Sequence, residues 1–165
     1  MQNQFAEIER KFLLESFPLD LPLKKRLTIY QAYLSTEPEV RIRREVRFGV
    51  DIAFFLTVKS EGNPARGEVE IKISKEHFYA LAEMVEPPFI SKEFCIYQLS
   101  GNLELECSLV DKRLDSKFIY AEIEFPSVID AAYFEPQFDF VSEITDDSTY
   151  KMKNYWKRTR LEGRM

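Results

Sequence analysis

The first charged residues of the chain alternate with apolar ones in a spacing that could build a chemical site. In the segment FAEIERKFLL, residues 5–14, Glu7, Glu9 and Lys11 stand two positions apart. If this segment is a β-strand, successive side chains point to opposite faces, so both carboxylates and the amine share one face. That face is either wet by solvent or is the wall of a site that binds an anion together with its metal ion.

Charged residues in the other alternating segments are sorted by sign. The acidic pairs are Glu7/Glu9, Glu68/Glu70, Glu104/Glu106 and Glu122/Glu124, and the basic positions are Arg41/Arg43, Lys11, Lys59 and Lys92. A sheet with one wet face also alternates, but exposed ion pairs stabilise little and give no reason to sort like charges within a strand. Together with an outer face rich in Ile, Val, Leu and Phe, the pattern permits an inverted barrel, with a charged lumen and an apolar outer face that helices cover.

A lumen lined by both signs of charge has a chemical consequence, because buried charges must be paired or bound to a ligand. Clustered carboxylates bind hard divalent cations such as Mg²⁺ or Mn²⁺. Clustered Arg and Lys side chains bind phosphate. A metal ion together with a polyphosphate satisfies both halves of such a lining. The chemistry indicated is phosphoryl transfer by positioning and charge neutralisation, with the metal activating water.

Eight segments have the alternation of antiparallel strands. They are AEIERKF, LTIYQAYLS, EVRIRREVRF, FFLTVKSEG, RGEVEIKIS, KEFCIYQLS, NLELECSLV and YAEIEF. A helix is predicted after Ser74, its N-cap, and before Pro87, because apolar residues recur on one face. A short helix is predicted over about 127–134, and a basic C-terminal helix over about 149–161.

Composition limits the class of protein. The chain has 165 residues, 45% of them hydrophobic, which predicts one globular domain over residues 1–165. The net charge of −5 argues against a general nucleic-acid binder. No apolar run approaches the ~18 residues of a membrane span and the N-terminus lacks an apolar leader, so we expect a cytoplasmic protein without membrane contact.

Cysteine and histidine give no support to a zinc site or a Ser/His triad. The two cysteines, Cys95 and Cys107, lack the spacing of zinc ligands, and the chain has a single histidine, His77. We expect reduced, partly buried thiols and a solvent-exposed His77.

Several motifs follow one another in a recognisable order. EIERKFL carries the pattern ExExK as Glu7, Glu9 and Lys11, and QAYLS, VRIR, FLTVKS, RGEVEI, AEIEF and EITDDSTY follow. Over about residues 5–150 the chain resembles the CYTH superfamily, the triphosphate tunnel metalloenzymes. The resemblance implies an α+β, mainly β fold: a closed eight-stranded antiparallel barrel, or tunnel, with a charged lumen and helices packed outside.

The resemblance also implies roles for the lumen residues. The metal-binding carboxylates would be Glu7, Glu9, Glu122 and Glu124, with Glu106 as a further ligand, and the triphosphate clamp would be Lys11, Arg41, Arg43, Lys59 and Lys92. Glu68 and Glu70 would orient the basic residues or bind metal, and Glu7, Glu9 and Lys92 are the expected catalytic residues. The chain departs from the family pattern at Phe94, where an arginine is common, and at Leu103, where a tryptophan is usual.

The resemblance to bacterial inorganic triphosphatases implies metal-dependent hydrolysis of a triphosphate, inorganic triphosphate first, with Mg²⁺ or Mn²⁺ as cofactor. One alternative is another reaction in the same tunnel, either as a class IV-type adenylate cyclase or as a thiamine triphosphatase. A second is a module that binds polyphosphate or nucleotides without hydrolysing them. The expected partner is a small-molecule triphosphate. A homodimer is compatible with the sequence, but no pattern in it supports one.

Overall fold

The computed structural model describes residues 6–61 and 65–162. The described chain forms nine strands: β1 Ala6–Leu14, β2 Leu23–Thr36, β3 Glu39–Arg47, β4 Val50–Lys59, β5 Ala65–Lys72, β6 Ile90–Gln98, β7 Glu104–Val110, β8 Phe118–Glu124 and β9 Ser142–Glu143. Its helices are α1 Lys75–Ala82, α2 Val128–Tyr133 and α3 Met152–Trp156; a 3₁₀ turn spans Ser148–Tyr150 and a π-helical turn spans Lys157–Leu161.

The first eight strands close into a barrel. Their order is β5-β4-β3-β2-β6-β7-β8-β1, every neighbouring pair is antiparallel, and β1 also pairs with β5 to complete the ring. The short β9 pairs with β1 as well, beside the β1–β8 pair. The β1–β5 pair is short, with Ala6, Glu7 and Ile8 opposite Gly67, Arg66 and Ala65. The predicted closed eight-stranded antiparallel barrel is therefore confirmed.

Alternation along β1 places charged side chains in the lumen and apolar side chains outside the barrel. Phe12 and Leu14 are buried in an apolar layer outside the wall. Glu7, Glu9 and Lys11 line the lumen instead. A period of two therefore sends charges inward and apolar side chains outward. The face that carries Glu7, Glu9 and Lys11 is therefore a wall of the lumen and not a solvent-exposed face.

Two apolar layers lie against the barrel. One contains Phe78 of α1 together with Tyr155 and Trp156, and the other contains Ala131 of α2. Helix α1 begins where predicted, because the Ser74 hydroxyl accepts a hydrogen bond of 3.0 Å from the backbone N–H of His77. The predicted short helix near residues 127–134 is confirmed as α2.

The outer cover is incomplete along β4 and β5. Val58, Val69 and Ile71 point outward and are 38%, 48% and 52% exposed. Helices thus cover the outer face of the barrel at the two apolar layers, as predicted, but they leave the outer face of β4 and β5 exposed.

The predicted C-terminal helix is divided. Residues Ser148–Tyr150 form the separate 3₁₀ turn, Lys151 is extended, and α3 starts at Met152. The amine of Lys11 donates a hydrogen bond of 2.7 Å to the carbonyl oxygen of Tyr150, and Lys153 pairs with Glu61 at 2.5 Å. The C-terminal segment therefore closes one end of the lumen.

The remaining expectations from composition concern the thiols, the histidine and membrane spans. Cys95 and Cys107 are both buried with free thiols, and they lie opposite each other in the β6–β7 pair. His77 is exposed, as predicted. In the described ranges, no helix is long and apolar enough to cross a membrane.

Candidate functional site

The closed end of the lumen is a small, strongly charged cavity of about 50 Å³. Its wall comes from the barrel strands and from the C-terminal segment that covers them. The cations lining it are Lys11, Arg41, Lys59, Arg66, Lys92 and Lys151, and the carboxylates are Glu9, Glu39, Glu122 and Asp147. Positive side chains prevail here, which suits a phosphate group.

A larger cavity of about 270 Å³ continues toward the other end of the barrel. It shares Glu9, Arg41, Lys59, Lys92 and Glu122 with the closed end. Its further charged residues are mostly acidic: Glu7, Lys25, Arg43, Glu45, Glu68, Glu70, Glu106 and Glu124. Every residue that the sequence predicted for the site lines one of the two cavities. The lumen therefore runs from a basic closed end to an acidic mouth.

Glu7 is held by two cations inside the wall. Its Oε2 lies 3.2 Å from Nζ of Lys59 and 3.1 Å from Nε of Arg66. Arg66 also reaches Glu9 at 3.5 Å and Glu39 at 3.2 Å. One guanidinium thus gathers three carboxylates, which a single lysine amine would not do in a fixed planar geometry.

Sequence reasoning missed Arg66, although a signal was present. Arg66 stands two residues before Glu68 and four before Glu70, so it shares their face of β5. In the barrel it lies directly opposite Glu7 in the β1–β5 pair. Extending the period of two by one step would have included it.

Glu9 and Glu122 form a carboxyl pair where the two cavities meet. Burial, together with the charge of Glu122 and a hydrogen bond to it, raises the pKa of Glu9 well above its ordinary value. Burial acts in the same sense on Glu122, but Lys11, the hydrogen bond from Glu9 and Lys59 outweigh it and lower the pKa of Glu122. Glu9 therefore holds a proton more readily than Glu122 does.

Lys92 is a buried amine in a positive environment. Burial lowers its pKa well below the ordinary lysine value, and the nearby charge of Arg41 lowers it further. Its Nζ donates a hydrogen bond of 2.5 Å to the hydroxyl of Tyr120. Burial also lowers the pKa of Lys11. Tyr120 was not predicted, because an uncharged residue gives no signal in a pattern of sorted charges.

Comparison with known proteins gives a close relative. An inorganic triphosphatase from Nitrosomonas europaea is 35% identical over 151 residues, which covers 90% of this chain and 95% of the relative. The chain belongs to the family of that inorganic triphosphatase. A crystal structure of an inorganic triphosphatase matches with a TM-score of 0.61 at 31% identity, over 94% of this chain and 95% of the other.

A more distant structure shows the fold alone. A protein from Pyrococcus horikoshii OT3 matches with a TM-score of 0.57 at 18% identity, covering 76% of this chain and 82% of that one. No protein-family model matches the chain.

The β2–β3 wall of the lumen carries buried polar atoms that lack partners. Within the described ranges, Nε2 of Gln31, the hydroxyl of Tyr33 and Nε of both Arg41 and Arg43 have no hydrogen-bond partner. The register sets Gln31 opposite Arg43 and Tyr33 opposite Arg41. Buried polar groups are rarely left unpaired, so this wall indicates a ligand that carries acceptors.

The carboxylates of the lumen have the donor chemistry of a hard divalent cation. No group of three or more His, Cys, Asp and Glu side chains within the described residues has the geometry to hold a metal ion as it stands. Glu7 is paired with Lys59 and Arg66, the pKa of Glu9 is raised, and Glu124 lies exposed at the mouth. The lumen therefore has oxygen donors of the type that Mg²⁺ or Mn²⁺ prefers, but within the described residues they are not placed together as a ligand set.

Proposed function

We propose that the barrel hydrolyses a triphosphate, with inorganic triphosphate as the preferred substrate. The observation that carries the proposal is the meeting of a basic closed end with an acidic mouth at Glu9 and Glu122. A polyphosphate and its divalent cation match the two halves of this lining. The family relationship to an inorganic triphosphatase supports the same substrate. In this proposal the chain is a CYTH member, with Glu7, Glu9 and Lys11 as its ExExK motif.

The cations and the carboxylates of the lumen have different proposed roles, in phosphate binding and in metal binding. Lys11, Arg41, Arg43 and Lys59, joined by Arg66, hold the phosphate oxygens and neutralise their charge, and Lys92 lies among them as a further contact to the phosphate oxygens. Glu7, Glu9, Glu106, Glu122 and Glu124 would hold Mg²⁺ or Mn²⁺, and Glu68 and Glu70 would orient the neighbouring cations or join the metal ligands. When bound, the metal supplies Lewis-acid stabilisation and a more acidic water.

The proposed reaction is attack of water on a terminal phosphorus. The new P–O bond forms as the bridging P–O bond breaks, which releases phosphate and pyrophosphate. Lys92 is the expected proton acceptor, because burial and neighbouring cations lower its pKa and favour the neutral amine. Its contact with Tyr120 fixes the position of Nζ.

The deciding experiment is phosphate release from inorganic triphosphate with Mg²⁺, with Mn²⁺ or with EDTA. We expect release with at least one metal and none with EDTA. Absence of release with either metal would overturn the hydrolase proposal and favour a binding module. Parallel reactions with thiamine triphosphate and with ATP, analysed for cyclic AMP, test the alternative reactions of the same tunnel.

A further inference from the structure

Gln31 is the one uncharged amide side chain in the lining of the larger cavity, as far as the described residues show. It is 1% exposed, and its Nε2 has no hydrogen-bond partner within the described ranges. It stands directly opposite Arg43, whose Nε is also unpaired. An unpaired buried donor is unfavourable unless a ligand supplies the acceptor.

The position of Gln31 along the lumen is defined by its neighbours. Gln31 and Arg43 line only the larger cavity, whereas Arg41, Lys59 and Lys92 line both cavities. Gln31 therefore lies on the mouth side of the shared cations. A phosphate chain whose end rests among those cations has to extend toward the mouth before an oxygen comes within reach of Gln31.

We propose that Gln31 donates a hydrogen bond to an oxygen of the part of a triphosphate that extends from the shared cations toward the mouth, and that this bond makes the lumen select by phosphate-chain length. The inference rests on the proposed function and deepens it. A shorter anion held at the closed end offers Gln31 no acceptor.

A neutral amide is suited to this role in a way that a cation is not. The attraction of a cation decreases slowly with distance, so a lysine or arginine also strengthens the binding of an anion that it does not touch. An amide N–H contributes only when an acceptor lies at hydrogen-bond distance and in line. Gln31 can therefore distinguish anions by where their oxygens lie, while the surrounding cations respond to total charge.

The test compares Gln31→Leu with the wild-type chain by calorimetric titration with inorganic triphosphate, pyrophosphate and phosphate in EDTA. Loss of a hydrogen bond to a charged acceptor corresponds to about a tenfold or greater weakening. We expect that loss for triphosphate and less than about a twofold change for phosphate. Gln137→Leu makes the same chemical change on an exposed loop residue and is expected to bind all three anions as the wild type does.

Thermal unfolding separates a ligand role from a structural one. Because Nε2 of Gln31 has no partner within the described chain, Gln31→Leu removes an unsatisfied donor and is expected to melt no lower than the wild type without ligand. Unchanged triphosphate affinity would overturn the proposal. An equal loss for all three anions, or a lower melting temperature without ligand, would assign Gln31 a structural role and overturn it as well.

The same experiment distinguishes failure of this inference from failure of the proposed function. A wild-type chain that binds triphosphate without releasing phosphate would end the hydrolase proposal, yet a selective loss in Gln31→Leu would still support chain-length selection. A hydrolytically active wild type with an unaffected Gln31→Leu variant would end the inference alone.

Discussion

Lys59 and Glu7 form an ion pair inside the barrel, with Nζ of Lys59 3.2 Å from Oε2 of Glu7 and side chains only 6% and 7% exposed. The pair joins β4 to β1 across the intervening β5. It also joins a proposed phosphate ligand to a proposed metal ligand, so the two halves of the lining are already coupled without substrate. A buried pair of this kind is weak evidence for stability, because desolvation of both charges offsets their attraction.

Replacing Lys59 tests the phosphate half of this pair. Lys59→Met keeps the aliphatic stem, and Arg66 still pairs with Glu7, so we expect the barrel to remain folded. Loss of one charge-assisted contact predicts about a tenfold or greater fall in kcat/KM for inorganic triphosphate. Steady-state phosphate release measures it. Lys24→Met is the matched control, because Lys24 forms an exposed pair with Glu104, and an equal fall in that variant would contradict the assignment.

Glu9 tests the metal half. Glu9→Gln keeps the shape and has an amide N–H that can donate to Glu122, so we expect the melting temperature to change by no more than a few degrees. A lost carboxylate ligand removes transition-state stabilisation that depends on the metal, which predicts a fall in kcat of roughly 100-fold or more. Phosphate release with saturating Mg²⁺ is the measurement, and Glu76→Gln on the exposed side of α1 is the control. Turnover retained by Glu9→Gln would refute the assignment of Glu9.

The raised pKa of Glu106 leads us to expect that the free energy of unfolding of the metal-free protein depends on pH. Burial and the charges of Glu124 and Glu122 raise the pKa of Glu106 from 4.5 to about 8. Between those values the folded chain holds a proton that the unfolded chain has released, so the contribution of Glu106 to stability falls as pH rises from about 5 to 8.

We therefore expect the melting temperature of Glu106→Gln, relative to the wild type, to rise between pH 5.5 and pH 8.5 in EDTA. Taking the difference between the two proteins at each pH removes the contribution of groups that the substitution leaves unchanged. A difference that stays constant over this range would show that the pKa of Glu106 is not raised. Addition of Mg²⁺ at pH 8 is expected to reduce the difference, because the cation replaces the proton.

The closed eight-stranded barrel was predicted from the resemblance to the triphosphate tunnel metalloenzymes. The sequence predicted the charged lining because a strand's period of two directly encodes the face of each side chain. Glu7, Glu9 and Lys11 reach the lumen for that reason, and their charges make the face visible. Gln31 and Tyr120 reach the same lumen with the same period. Their side chains are uncharged, so the sorting of charges could not mark them.

Other features depend on contacts that no local pattern contains. Arg66 acquires its three carboxylates only because β5 meets β1 when the barrel closes, a pairing between distant segments. The division of the C-terminal helix depends on the 3₁₀ turn capped by Asp147 and on burial of Tyr155 and Trp156 against the barrel. Helix periodicity in the sequence continues through Lys151, whereas the packing interrupts it there.

Phe94 tests the departure from the family pattern. It lines the larger cavity beside Ile29 and Ile96, so Phe94→Arg would add a cation on the mouth side of the phosphate ligands. Partial exposure limits the gain, and we expect KM for inorganic triphosphate to fall by up to about fivefold with kcat little changed. Phe94→Leu keeps the site apolar and is expected to leave KM near the wild-type value. A rise in KM for Phe94→Arg would indicate that Phe94 has a packing role there instead.

Asp111 and Arg160 give a prediction for stability outside the lumen. Their side chains are 4% and 5% exposed and form two contacts, of 2.7 and 3.1 Å, while the hydroxyl of Tyr155 donates to Asp111 at 2.6 Å. Asp111→Ala leaves a buried guanidinium without its carboxylate, which predicts a loss of about 3–5 kcal/mol in the free energy of unfolding. Urea denaturation measures it. The double variant Asp111→Ala/Arg160→Leu is expected to recover part of the loss, because it removes the unpaired charge as well. A double variant less stable than Asp111→Ala would contradict this. It would show that Arg160 stabilises the C-terminal segment chiefly through its hydrogen bonds to the carbonyl oxygens of Pro88 and Phe89.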